Sequence, residues 1–302
     1  MILAAGLSSA WQRVLVFEAF QAGAVNRALR VEEGAGGKAV NAALAVRSLG
    51  GPVRLLTLAG GEPGGSFRRG LEKAGLAARC VETAAPTRIC TTIVEKGRAT
   101  ELVENMGPVR PEELEAFIAA FSGEAAAARV ILLSGSLPKE APRTFYRGLV
   151  AKAGGPVVLD ARGPELLEAL ESRPFLVKPN RRELAETLGR ELPDDRALEA
   201  ALAGLNERGA AWVVVTDGAG PVRVRGEGKT RAFQPPPCEV VNPIGSGDCL
   251  AGGIALGLFR GRDPVEAVRF GIAAAADRIG RLLPSDLDAA RVERIAAGVR
   301  PL

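Results

Sequence analysis

One turn in this chain sets an acid among bare backbone amides. Asn242-Pro243-Ile244-Gly245-Ser246-Gly247-Asp248 runs directly into the small-residue stretch Cys249-Leu250-Ala251-Gly252-Gly253-Ile254. Two glycines just before a helix leave N–H groups unobstructed, and the helix dipole adds positive potential, so an anion such as a migrating phosphoryl group is favoured there. Asp248 could accept the proton of an attacking hydroxyl while the amides neutralise charge on the phosphoryl oxygens. The same residues also suit a plain glycine-rich turn with aspartate as an ordinary first-turn helix residue.

A second glycine-rich segment, Gly34-Ala35-Gly36-Gly37-Lys38-Ala39-Val40-Asn41, opens a helix that ends near Gly50. Lys38 and Asn41 are three apart and can face one side of its first turn, suited to sugar hydroxyls or a phosphate. The segment also fits the GxGxxA dinucleotide pattern of an NAD(P)-dependent oxidoreductase. The following strand, Val53 to Ala59, holds no acid to take a ribose, which argues against that reading. Lys38 is followed by alanine, so there is no GxxxxGK[ST] loop either.

Lys178-Pro179-Asn180-Arg181-Arg182-Glu183 follows a strand; Asn180 is a good N-cap and Glu183 completes a capping-box spacing. A functional reading puts Asn180 and Glu183 near nucleotide phosphates, with Glu183 reaching a magnesium ion through water. Ser134-Gly135-Ser136-Leu137-Pro138 and Thr216-Asp217-Gly218-Ala219-Gly220 each follow an apolar strand, where ligands collect in parallel sheets. Either could equally be a simple turn.

The elements that must position these residues are legible as apolar runs between helical stretches. Residues 53–58, 130–133, 157–160, 175–178 and 212–216 are near-continuous apolar strands, which predicts a parallel sheet covered on both faces. Residues 13–18, 88–94 and 100–103 have strand composition, with no helix between the last two, and could form either a small antiparallel flap or edge strands of the main sheet. Beyond Gly245 the pattern is helical over 250–260, 264–281 and 286–299, with Pro264 suited to a first turn. No repeat or linker divides the chain, so residues 1–302 read as one domain.

Composition narrows the chemistry. There is no histidine among 302 residues, which excludes imidazole bases and ligands and leaves carboxylates, lysines and amides. The net charge of +4 arises from interspersed charges, which argues against nucleic-acid binding and suits phosphate substrates. Cys80, Cys90, Cys238 and Cys249 have neither metal-ligand nor CxxC spacing. The first ten residues lack a basic leader, and no apolar run reaches the ~18 residues of a membrane span. A soluble cytoplasmic protein with no membrane association is the expectation.

In this order the motifs resemble the ribokinase-like carbohydrate kinases of phosphofructokinase B type, in the branch of 1-phosphofructokinase, tagatose-6-phosphate kinase and the minor 6-phosphofructokinase. The resemblance spans nearly the whole chain and includes Gly23-Ala24-Val25-Asn26-Arg27, Gly36-Gly37-Lys38 with Asn41, Thr87-Arg88, Glu104-Asn105-Met106-Gly107-Pro108 and the segments at 134–138, 178–183 and 242–248. It implies a Rossmann-type three-layer α/β sandwich with a mainly parallel sheet. A small β lid, about residues 11–33 and 86–105, would pair with that of a second copy to give a homodimer. It further implies an ATP- and Mg²⁺-dependent kinase acting on a sugar phosphate. Asp248 would be the base and Gly245, Ser246 and Gly247 the anion hole. Lys178, Asn180, Glu183, Thr216, Gly218 and Gly220 would serve the nucleotide; Gly36, Gly37, Lys38, Asn41, Arg88 and Ser136 would hold the sugar phosphate. Where the family's first strand ends in Leu-Asn-Pro-Ala-Leu-Asp, this chain has Leu7-Ser8-Ser9-Ala10-Trp11-Gln12. The sugar-binding aspartate is thus Gln12, which carries no charge and alters sugar recognition. A sugar-phosphate binding protein of the same fold with little kinase activity is the alternative.

Overall fold

The computed structural model describes residues 1–283 and 286–302 of the protein. Short β1 (Ile2–Ala5) leads into β2 (Ala10–Val16) and β3 (Arg30–Gly36), then α1 (Lys38–Ser48). Next come β4 (Val53–Ala59), α2 (Gly61–Lys73), β5 (Ala78–Glu82), β6 (Arg88–Glu95), β7 (Arg98–Val103) and α3 (Pro111–Ala125). A run of alternation follows: β8 (Val130–Ser134), α4 (Phe145–Ala151), β9 (Val157–Asp160), α5 (Gly163–Leu170), β10 (Leu176–Val177) and α6 (Arg181–Leu188). The remainder is α7 (Asp195–Glu207), β11 (Trp212–Val215), the hairpin β12 (Val222–Gly226) and β13 (Lys229–Phe233), then α8 (Ser246–Phe259), α9 (Pro264–Ile279) and α10 (Ala289–Gly298).

Nine strands form one sheet in the order β13-β12-β11-β10-β9-β8-β1-β4-β5. Every neighbouring pair from β11 to β5 is parallel, and β12 and β13 add an antiparallel edge. β1, β8, β9 and β11 are buried at every position, because helices cover both faces. On one face Phe117 and Phe121 of α3, Tyr146 of α4, Leu166 of α5 and Leu198 of α7 share a core with Leu3, Ile131 and Leu159. On the other, Val46, Ile254, Phe270 and Val292 from α1, α8, α9 and α10 pack with Ile2, Leu132 and Val214. This is the three-layer α/β sandwich with a mainly parallel sheet that the resemblance implied. A close seat in this layer is between α1 and α8, where a Cβ on Gly252 would lie 2.6 Å from the Ala42 carbonyl oxygen; only glycine lets the helices approach this far.

Four strands form a second, separate sheet in the order β3-β2-β6-β7. The strand-like segments without helices are therefore a flap and not edges of the main sheet. Its pairing differs from the antiparallel expectation at the centre: β2 and β6 run parallel, from Ala10 opposite Arg88 to Val16 opposite Val94, while β2–β3 and β6–β7 are antiparallel. The reason is the path between them. After β3 the chain returns through α1, β4, α2 and β5 and re-enters the flap from its starting side, which makes β6 a crossover partner of β2. No helix among the described residues is long and apolar enough to cross a membrane.

Candidate active site

The carboxyl ends of β8, β9, β10 and β11 bring Ser134, Asp160, Lys178 and Thr216 to one edge of the large sheet. The starts of α1, α6 and α8 converge on the same edge. α8 begins after Gly245, whose φ of 85° is left-handed, and Asp248 stands in its first turn. α1 begins after Gly37, φ 112°, where a Cβ would strike the Ser8 carbonyl oxygen at 2.3 Å. Asn41 in the first turn of α1 donates from Nδ2 to Oδ2 of Asp248 at 2.8 Å and so ties the two helix starts together. At α6, Asn180 Oδ1 accepts from the Glu183 amide at 2.8 Å and Glu183 Oε2 accepts from the Asn180 amide at 3.0 Å, the full capping box.

The charges are interlocked. Asp160, wholly buried, lies 3.2 Å from the Lys178 ammonium and 3.9 Å from that of Lys38, and accepts the Ser134 hydroxyl at 3.3 Å. The Lys178 contact is an ion pair. Burial alone would push the Asp160 carboxyl up, but Lys178 and Lys38 outweigh it and hold it below the ordinary carboxylate range. Lys38 Nζ also lies 3.4 Å from Glu183 Oε1. Asp160, against the cost of burial, holds the Lys38 ammonium above its usual value, with Asp248 and Glu183 adding. For Asp248 the balance reverses: burial pushes its carboxyl up to about 6 against the opposing pull of Lys38. A carboxyl so poised is ionised at neutral pH yet a stronger base than an ordinary aspartate.

Two cavities meet at these residues. One, of about 560 Å³, is lined by Asn180, Glu183, Thr216 and Gly218, with apolar walls from Pro235, Pro236, Leu250 and Ile272. The other, of about 370 Å³, is lined by Gln12, Gly37, Asn41, Arg88 and Ser136. Both are of ligand size. Lys38, Asp160, Glu183, Gly245 and Asp248 line both, so the acid of the α8 turn faces each cavity. Ser246 and Gly247 border the first, and a Cβ on Gly247 would lie 3.7 Å from Lys178 Nζ, which brings that buried ammonium behind the turn.

In the smaller cavity two buried polar atoms have no protein partner, Oδ1 of Asn41 and Nε of Arg88: an acceptor for a hydroxyl and a donor for an anion. Gln12 Nε2 donates to Thr92 Oγ1 at 2.7 Å, which engages its nitrogen within the sheet and leaves the carbonyl end as the group available to a ligand. Gly36 pairs with Ala10 in the flap beside Gln12 and does not line the cavity. Gly220 likewise stands back from the larger cavity, where its amide closes a turn on Asp217 at 2.7 Å. The dinucleotide reading of residues 34–39 loses its context, since Gly34 and Gly36 belong to β3 of the flap and not to a strand-to-helix turn of the large sheet.

Sequence reasoning missed Asp160, Glu101 and Arg162. Asp160 had a signal, an acid closing an apolar strand at its ligand-facing end. Glu101 of β7 faces both cavities, and burial raises its carboxyl against the pull of Arg88. Arg162, the residue before α5, lines the smaller cavity. Among the described residues no three acidic, cysteine or histidine groups gather into a metal cage. The carboxylates lining the larger cavity, Asp160, Glu183 and Asp248 among them, fit magnesium carried by phosphates and touching the protein through water.

The model of the pfkB family carbohydrate kinases matches residues 8–286. The chain belongs to that family. Solved structures share the fold: a possible 1-phosphofructokinase of Thermotoga maritima, 20% identical, superposes with a TM-score of 0.92 over 100% of this chain and 98% of that one. Phosphofructokinase-2 of Escherichia coli in complex with substrates and products, 24% identical, gives 0.90 over 99% of each chain. Ribokinase of Thermotoga maritima, 23% identical, gives 0.77 over 98% of this chain and 99% of that one. The protein is thus a carbohydrate kinase, and kinase membership carries ATP use with it.

Proposed function

We propose that this pfkB-family kinase transfers the terminal phosphoryl group of MgATP to a hydroxyl of a sugar phosphate of the fructose 1-phosphate, fructose 6-phosphate or tagatose 6-phosphate type, with Asp248 as the base. The observation that carries the reading is the position of Asp248 in the wall common to both cavities, beside the Gly245–Gly247 turn. The larger cavity takes the nucleotide: apolar walls receive the base, and Asn180, Glu183, Thr216, Gly218 and Lys178 line the way to its phosphates. The smaller takes the acceptor, with Arg88, Arg162 and Lys38 supplying cations for its phosphate and Asn41 and Gln12 supplying acceptors for its hydroxyls. Ser136 and Gly37 complete its walls.

In this arrangement the acceptor hydroxyl lies against Asp248, whose Oδ2 is held by Asn41. The hydroxyl oxygen forms the new bond to phosphorus as the bond to the leaving ADP oxygen breaks, and its proton passes to Asp248. Amides of the α8 turn, with Lys38 and Lys178 close by, neutralise the equatorial oxygens. Magnesium bound with the nucleotide would further neutralise phosphate charge, held through its waters by Glu183. Val25, Leu29 and Val31, in and beside the loop from β2 to β3, and Leu102 of β7 are large apolar side chains left exposed on the flap, which supports pairing of two copies through it. The four free thiols suit the cytoplasm.

The test is ADP release from MgATP with each of the three sugar phosphates and with free fructose. Stimulation by a phosphorylated acceptor above that by fructose is the expected result. If none stimulates release while the protein still binds them, the assigned reaction is wrong.

A further inference from the structure

The segment from Gln234 to Gly245 delivers the phosphoryl-binding turn without a helix or strand of its own. Its end is held from beneath by a single cation. Arg278, in the last turn of α9 and 1% exposed, donates from Nη2 to the Ile244 carbonyl at 2.7 Å, and from Nη1 to the carbonyls of Arg281 at 2.6 Å and Asn242 at 3.2 Å. Three carbonyls from two segments thus converge on one guanidinium, whose planar fork fixes direction as well as distance. The receiving side is braced too. Asn242 Nδ2 donates to the Leu282 carbonyl at 3.0 Å, and its Oδ1 accepts from the Ile244 amide at 3.1 Å. Arg281 is anchored by the wholly buried Asp277, which takes its Nε at 2.8 Å.

We propose that Arg278 is a positioning residue for phosphoryl transfer, one that fixes the 242–244 segment so that the amides following Gly245 stay aimed at the transferring group. This rests on the reading of that turn as the phosphoryl site. Burial of a guanidinium is costly, and desolvation does lower the Arg278 pKa, with the charge of Asp248 among the groups opposing the fall. An apolar side chain would fill the space under α8 without that cost; a buried charge that donates to two carbonyls of the 242–244 segment, even with its Nε left unpaired among the described residues, holds a geometry that packing alone leaves loose. Its positive charge also sits on the inner side of the turn and adds to the field that the turn presents to an anion.

The test compares Arg278→Met, Arg278→Lys and Arg278→Ala with wild type, assayed with MgATP and fructose 1-phosphate and fructose 6-phosphate, with the folded fraction counted by circular dichroism. Arg278→Met is expected to lower kcat per folded molecule about 100-fold, the scale for misplacing an anion-stabilising donor, while KM for both substrates changes little. Arg278→Lys should recover part of that loss, and guanidinium ion added to Arg278→Ala should raise kcat where choline at equal ionic strength does not. Wild-type kcat per folded molecule in Arg278→Met, or a kcat loss in Arg278→Ala that guanidinium leaves untouched, overturns the proposal. Asp248→Asn run alongside separates the two failures: if it is inert while Arg278→Met is active, only the role of Arg278 falls, whereas turnover by Asp248→Asn removes the site reading beneath it.

Discussion

The starts of α1 and α8 are built alike and charged oppositely. Each follows a glycine of left-handed φ, neither is capped by a side chain, and the two are joined by the bond from Asn41 to Asp248. α8 carries an acid in its first turn, where a helix dipole favours one, yet burial dominates and lifts Asp248 to about 6. α1 opens with Lys38, where the dipole disfavours a cation, and Asp160, Asp248 and Glu183 hold that charge in place. The acid is thus ionised at a cost in stability and the cation at a gain, and the acid is itself one of the groups that hold the cation. The pair also divides the labour: the α8 side should govern the chemical step, the α1 side the acceptor, and Lys38, which borders both cavities, should touch each.

The sharpest way to break this division is Asp248→Asn, expected to lower kcat by about 1,000-fold or more through loss of base and charge. The same variant should be more stable than wild type at pH 8. The folded carboxyl, at about 6, binds its proton more tightly than the unfolded one near its ordinary 3.8, so wild type loses stability as pH rises between these values and the variant does not. The gap should amount to roughly 1–3 kcal/mol above pH 6 and close below about pH 4, read from thermal melts. A variant no more stable than wild type at pH 8 would show that the carboxylate is not held at a cost.

Lys38→Met comes next, with kcat down about 100-fold and acceptor KM raised. Wild-type kcat/KM should fall as pH drops through about 6, and in this variant the acid limb should move to higher pH, because the main cation holding Asp248 down is gone. A limb that stays put would uncouple the two helix starts. Arg88→Ala should raise acceptor KM about tenfold with kcat and the KM for ATP nearly unchanged, as expected for losing a charge-assisted contact. Arg162→Gln should do the same more weakly, about threefold, because that side chain is half in solvent and its partner Glu186 lies 3.9 Å away. Effects of either on kcat alone would contradict an acceptor-side role.

How much of this could be read from the chain varies with the range of the interaction. The Asn180–Glu183 capping box and the glycine turn before Asp248 are local, set by neighbours within one helical turn, and their spacing is written in the sequence. The apolar strands and the terminal helices were equally plain, because burial on both faces leaves a continuous apolar run. The parallel β2–β6 pair was not, since the alternation of residues 13–18 and 88–94 is the same for either direction and only the intervening path decides. Glu101 and Arg162 read as surface charges, and their facing of the cavities depends on how the flap sits over the sheet edge. Arg278 looks like a basic residue in the last turn of a helix, a common solvent-facing position; its burial follows from the fold of a segment nearly 40 residues earlier. Asp160 is visible in the sequence as the acid that ends the apolar run 157–160, but nothing local distinguishes it from an ordinary strand end.

Gly252 carries a consequence that no inventory of reactive groups would suggest. It sits one helical turn beyond Asp248, and its missing side chain is the clearance for the Ala42 carbonyl. A methyl group there would have to wedge α1 away from α8, and Asn41, the neighbour of Ala42, would swing outward with it. The span between Asp248 and its anchoring amide is therefore gauged by an empty space, and a residue with no side chain sets the tolerance to which the proposed base is held.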